Sequence, residues 1–122
     1  MTRTFIETLV FTERMTGRLD DEAFRELQKE LMANPAKGKV IPGCGGLRKV
    51  RAGAAARGQG KRGGVRVLYL DTPAAGRIDL ITLYGKDEQE VFSPSERKAV
   101  QAFVKALRAE ALAARPRRVR PI

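Results

Sequence analysis

The sequence predicts an α+β domain, a small antiparallel sheet with helices packed on one face. Three observations carry this. Apolar residues recur at helical spacing before Asn34 and again after Ser93. Three runs rich in β-formers lie between Leu47 and Tyr84, and the last two are joined by turn chemistry rather than by a helix. With 122 residues, 43% of them apolar, the chain has room for a single core. Residues 1–114 are expected to form that one domain. Residues 115–122 carry four arginines and two prolines with no periodicity, and are expected to be a disordered basic tail.

Thr4-Phe5-Ile6-Glu7 reads as a first strand, and Leu9 to Gly17 as a short helix. Asp20 to Asn34 is a stronger helix. Asp20 or Asp21 can cap it, acids sit in its first turn, and Ala23, Phe24, Leu27 and Leu31 form one stripe before Asn34-Pro35 stops it. Leu47–Ala52 follows the breaker run Pro42-Gly43-Cys44-Gly45-Gly46 and reads as a strand. Val65–Leu70 and Arg77–Tyr84 follow, linked by Asp71-Thr72-Pro73-Ala74-Ala75-Gly76, the chemistry of a hairpin turn. Ser93-Pro94-Ser95-Glu96 is a capping box that opens a last helix, with Val100, Phe103, Val104 and Leu107 as its expected buried stripe. The expected order is therefore β-α-α-β-β-β-α.

The composition excludes several kinds of chemistry. With no histidine in the chain, neither imidazole acid–base catalysis, a Ser-His triad nor a His-based metal site can be built from it. A lone Cys44 permits no internal disulfide and, set among glycines, reads as a packing residue. No apolar run approaches the roughly 20 residues that span a bilayer, and Glu7 and Glu13 break any signal-peptide pattern. A cytoplasmic location, no membrane and no cofactor or metal are expected. Gly58-Gln59-Gly60-Lys61-Arg62-Gly63 matches a dinucleotide-binding fingerprint in letters only, because no strand-to-helix unit surrounds it. Lys61 is followed by Arg62 rather than Ser or Thr, so a Walker A loop fails too.

Charge is the informative feature. The formal net charge is +10, and from Leu31 to Leu70 there are nine basic residues and no Asp or Glu. Such a field favours a polyanion. In the strand Leu47–Ala52 the period of two places Lys49 and Arg51 on one face and Arg48 and Val50 on the other. Arg66 opens the next strand, and Lys86 leaves the end of the third. If the strands pair in order, Lys49, Arg51, Arg66 and Lys86 converge, and a phosphate is the natural anion to join them. The glycine-rich stretch 53–64 carries Arg57, Lys61 and Arg62 and reads as a charged hairpin tip.

These residues also carry a resemblance. Gly45-Gly46-Leu47-Arg48-Lys49-Val50-Arg51, then Gly60-Lys61-Arg62-Gly63-Gly64-Val65-Arg66-Val67-Leu68-Tyr69, then Leu80-Ile81-Thr82-Leu83-Tyr84-Gly85-Lys86-Asp87-Glu88 resemble the HigB branch of RelE-type toxins in the RelE/ParE superfamily. The similarity runs in order over about residues 3–114. It implies a RelE-like fold and a ribosome-dependent mRNA endoribonuclease of a type II toxin–antitoxin pair, neutralised by a helix-turn-helix antitoxin of the HigA type. It also implies that Lys49, Arg51 and Arg66 contact the scissile phosphate. The chain departs from the family where a tyrosine or histidine often follows the third strand, here Lys86 to Phe92, which leaves the general base open.

The implied reaction is attack of a ribose 2′-OH on the adjacent phosphorus, giving a 2′,3′-cyclic phosphate and a free 5′-OH. Arg51 and Arg66 would stabilise the extra charge. Lys49 would serve as base, with Lys86 as acid or further charge stabiliser and Tyr84 as a second proton-transfer candidate. Arg48, Arg57, Lys61, Arg62 and Tyr84 would bind mRNA or ribosomal RNA. The competing readings are a non-catalytic nucleic-acid-binding module and an inactive toxin-fold protein that acts through its protein partner.

Overall fold

A computed structural model of the chain describes residues 2–53, 64–85 and 92–114. The elements are β1 (Thr4–Glu7), α1 (Leu9–Met15), α2 (Asp21–Ala33), β2 (Lys39–Val40), β3 (Arg48–Gly53), β4 (Gly64–Thr72), β5 (Arg77–Gly85) and α3 (Pro94–Ala113), with a short 3₁₀ turn at Pro73–Ala75 between β4 and β5. The strands form one sheet in the order β1-β5-β4-β3-β2. Among the described residues, no helix is long and apolar enough to cross a membrane.

Local chemistry sets the helix ends. The Thr8 hydroxyl accepts from the Phe11 N–H to cap α1, and the Asp20 carboxylate accepts from the Ala23 N–H at 2.8 Å to cap α2. The capping box is present in full at α3, where Ser93 accepts from the Glu96 N–H and Glu96 accepts from the Ser93 N–H. The β4–β5 hairpin forms as expected. Its turn closes on Gly76 at φ +60°, a conformation in which a side chain would be strained.

Three expectations are corrected. The sheet is mixed rather than antiparallel, because β1 lies parallel to β5 at the edge, Thr4 beside Arg77 and Glu7 beside Leu80. Next, a two-residue strand, β2, pairs with β3. Finally, the helices cover both faces. Val65, Val67 and Tyr69 of β4 pack with Phe11, Leu27 and Leu31 of α1 and α2, whereas Leu68 and Leu70 pack with Val104 and Leu107 of α3. The run Val65–Leu70 is apolar at all but one position because both sides of the strand are covered.

The helical stripes also shift slightly. In α2, Ala23, Leu27 and Leu31 are buried, and Phe24 is half-buried with its ring 6.0 Å from that of Phe11. In α3 the buried residues are Val104, Leu107 and Ala111, while Phe103, an expected core residue, is 46% exposed. Arg77 anchors this helix. Its guanidinium lies 2.8 Å from the buried Asp79 carboxylate and 3.5 Å from that of Glu110. Burial pushes the Asp79 carboxyl above its usual range, and Arg77 offsets part of that rise.

One irregularity shapes everything downstream. Leu68 pairs with Thr82 but Tyr69 pairs with Leu80, so Ile81 is an extra residue in β5 and the strand changes phase there. The Ile81 carbonyl, left out of the ladder register, accepts from the Thr8 hydroxyl at 2.6 Å, and the Leu80 carbonyl accepts from the Thr8 N–H at 3.0 Å. Strict alternation would put Thr82 and Tyr84 on the α1–α2 side. The bulge moves them to the α3 side, beside Leu68 and Arg66.

Candidate functional site: a cationic row on the sheet

β3 presents its exposed charges on one face. Val50 and Ala52 are buried against the α1–α2 core, so the alternate residues Lys49 and Arg51 face the opposite side and are exposed. The strand register then joins them to their neighbours. Arg51 lies directly opposite Arg66, and Arg66 directly opposite Tyr84. In the adjacent row, Lys39 of β2 lies opposite Lys49, followed by Leu68 and Thr82. Residues directly opposite have Cβ atoms about 4.5–5.5 Å apart, so the two rows bring four cations into one patch.

A cavity of about 610 Å³ opens at this patch, lined by Lys37, Lys39, Lys49, Arg51 and Arg66 together with Glu30 and Val50. Glu30 supplies the one carboxylate among the described residues of that lining, and Lys37 holds it at 2.7 Å. Arg66 is half-buried, and its Nη1 is shielded from solvent with no hydrogen-bond partner among the described residues. A buried guanidinium N–H left unpaired costs more than an ordinary lost hydrogen bond, because the group has given up its water. Placed opposite another arginine, it is a donor arranged for an incoming anion. Fork-shaped donors on two adjacent strands match a carboxylate or a phosphate, and two forks together can engage more of the oxygens that a tetrahedral phosphate offers.

The segment that brings in Lys37 and Lys39 is held from below. Arg48 lies on the other face of β3, where its guanidinium donates to the carbonyls of Ala36 at 3.2 Å and Gly38 at 2.7 Å. The buried Tyr69 hydroxyl donates to the Pro35 carbonyl at 2.7 Å and accepts from the Gly38 N–H at 2.9 Å. Burial raises the Tyr69 phenol above its usual value, and the Gly38 N–H and the nearby Arg48 charge counter that rise. Gly38 is required by space. A Cβ there would sit 2.8 Å from the Tyr69 ring and 2.9 Å from the Lys49 carbonyl oxygen.

The expected site residues therefore separate into three groups. Lys49, Arg51 and Arg66 share one face and one cavity. Arg48 is away from them, occupied with loop carbonyls, and Tyr84 is in register with Arg66 but only 6% exposed, packed against the α3 side of the core. Lys86, Arg57, Lys61 and Arg62 lie outside the described residues, as does the tail 115–122. Sequence reasoning missed Lys37 and Lys39. The available signal was their position in the acid-free stretch, but a two-residue strand carries no periodicity to place them. No family model matches the chain.

Proposed function

We propose that the chain is an endoribonuclease that cuts mRNA at the ribosome in the cytoplasm, a toxin of the HigB type held in check by a helix-turn-helix antitoxin. The observation that carries this reading is the buried Nη1 of Arg66, without a partner among the described residues, lying in register with Arg51 beside Lys49. An RNA linkage supplies what that arrangement lacks, a phosphate whose charge grows in the transition state. Arg51 and Arg66 stabilise the phosphorane, and Lys49 takes the proton from the 2′-OH as it attacks phosphorus. The bond to the 5′-oxygen breaks, and that oxygen receives a proton from Lys86 or Tyr84, leaving a 2′,3′-cyclic phosphate and a 5′-OH. Acid–base groups of this kind are weak near neutral pH. Positioning of the mRNA by the ribosome offsets this, since orientation alone is worth roughly 7–11 kcal/mol.

Inducible expression tests the proposal. The wild-type chain is expected to arrest growth, while Lys49→Ala and Arg66→Ala do not, and mRNA 5′ ends should accumulate in translating but not in ribosome-free extracts. RNA that is bound yet stays intact under all conditions would replace the nuclease with a non-catalytic binding module.

A further inference from the structure

Next to the cationic row, on the same face of the sheet, lies a second cavity of a different character. It holds about 140 Å³ between the sheet and α3, with Leu68, Ile81, Thr82, Phe92, Val100 and Phe103 in its walls. Its lining is apolar apart from the Thr82 hydroxyl. Leu68 and Thr82 belong to the very row that begins Lys39–Lys49, so the floor of the cavity continues the cationic patch. One strand spacing, about 4.8 Å, separates Lys49 from Leu68. Arg66 precedes Leu68 by two residues on the same side of β4, roughly 6.6 Å along the strand.

We infer that this cavity is a nucleobase subsite, and that it takes a pyrimidine ring whose own phosphate rests on Lys49, Arg51 and Arg66. The inference rests on the phosphate reading of the cationic row and adds what lies next to the phosphate. A nucleotide has a charged group and a flat, largely apolar ring separated by one sugar, and the sheet presents a charged patch and an apolar slot separated by one strand. An apolar cavity of about 150 Å³ accommodates a benzene-sized ring, which fits a six-membered pyrimidine and crowds the fused rings of a purine. Phe92 and Phe103 supply aromatic surface, and Phe103, 46% exposed at the rim, leaves a ring edge against which a base can pack. The Thr82 hydroxyl, which both donates and accepts, is the polar group within reach of the ring edge. The β5 bulge is what turns Thr82 toward this face.

Titration of the full chain with inorganic phosphate and with cytidine 3′- and 5′-monophosphates tests this by calorimetry or amide NMR shifts. The tighter cytidine nucleotide is expected to bind about tenfold or more better than phosphate, the size of one base stack, and the adenosine counterpart less tightly than cytidine. Thr82→Phe fills the slot and should erase the cytidine advantage while phosphate affinity holds. Should that variant fail to fold, Phe103→Ala at the exposed rim is expected to reduce the cytidine-to-phosphate ratio by about threefold. A cytidine nucleotide no tighter than phosphate, an adenosine nucleotide as tight as cytidine, or a ratio unmoved by the variant that folds would overturn the subsite while leaving the phosphate site standing. Failure of both phosphate and nucleotide to bind would bring down the cationic site itself and the subsite with it.

Discussion

Arg66 sits where stability alone would not place an arginine, and replacing it measures that tension. The substitution is Arg66→Met, which keeps an unbranched apolar stem and removes the guanidinium. Two unfavourable contributions disappear. The first is the shielded Nη1, which has no partner among the described residues, and an unsatisfied buried donor costs about 1–3 kcal/mol. The second is the like charge of Arg51 directly across the ladder. Because Arg51 is exposed and its charge screened, this adds only a few tenths to about 1 kcal/mol. The variant should therefore be more stable than wild type by about 1–4 kcal/mol. For a domain of this size that is a rise in melting temperature of roughly 4–16 °C. Urea unfolding at pH 7 gives the free energy, and thermal melts in increasing inorganic phosphate give the second reading. Phosphate should stabilise the wild-type fold by mass action, by up to about 2.7 kcal/mol at a hundredfold excess over its dissociation constant, and so raise its melting temperature while leaving that of Arg66→Met nearly unmoved. A less stable variant, or an equal response to phosphate in both proteins, would refute the idea that Arg66 is held ready for an anion.

Other perturbations probe the support beneath the site. Gly38→Ala forces a methyl group against the Tyr69 ring and the Lys49 carbonyl, and is expected to cost about 1–3 kcal/mol in urea unfolding while weakening phosphate binding through displaced Lys39. Tyr69→Phe leaves the Gly38 N–H and Pro35 carbonyl without the hydroxyl, with an expected loss of about 1–3 kcal/mol at pH 7. The same variant has a pH signature. The Tyr69 phenol is raised above its ordinary value of 10.0 in the fold, so its contribution is complete below that value and is lost as pH climbs through the folded value. Urea midpoints between pH 8 and 11 should fall more steeply for wild type than for Tyr69→Phe, and parallel curves would remove the phenol from the account. Finally, binding of a short RNA strand to Lys49→Ala/Arg51→Ala should lose about 1.4 from its log–log salt slope relative to wild type, read by fluorescence anisotropy.

Much of the fold was legible because its signals are local. Asp20 and the Ser93–Glu96 box announce the starts of α2 and α3 by hydrogen bonds that span only three residues. The β4–β5 hairpin is announced by the turn residues between its strands. The parallel placement of β1 was not legible, since nothing in Thr4–Glu7 specifies a partner more than seventy residues away. Helices on both faces were foreshadowed by the nearly unbroken apolar run of β4, which reads like an alternating strand only if its even positions are overlooked. For the candidate site, a period of two was enough to set Lys49 and Arg51 apart from Arg48, and strand pairing in sequence order brought in Arg66. The phase change at Ile81 was not legible. It depends on a backbone register and on Thr8, the residue that caps α1, and it decides which side Thr82 and Tyr84 occupy.

The pairing of β1 with β5 has a consequence for how the chain is made. The strands that carry the cationic row, β2 to β4, leave the ribosome in succession and can zip together as they emerge. β1 emerges first, yet its hydrogen-bonding partner is synthesised after nearly all of the rest of the sheet. Contact order makes the closing of that long crossover the step expected to be slowest in assembly. Until then β5 has an open edge, and a nascent chain carries its charged face before its edge is sealed.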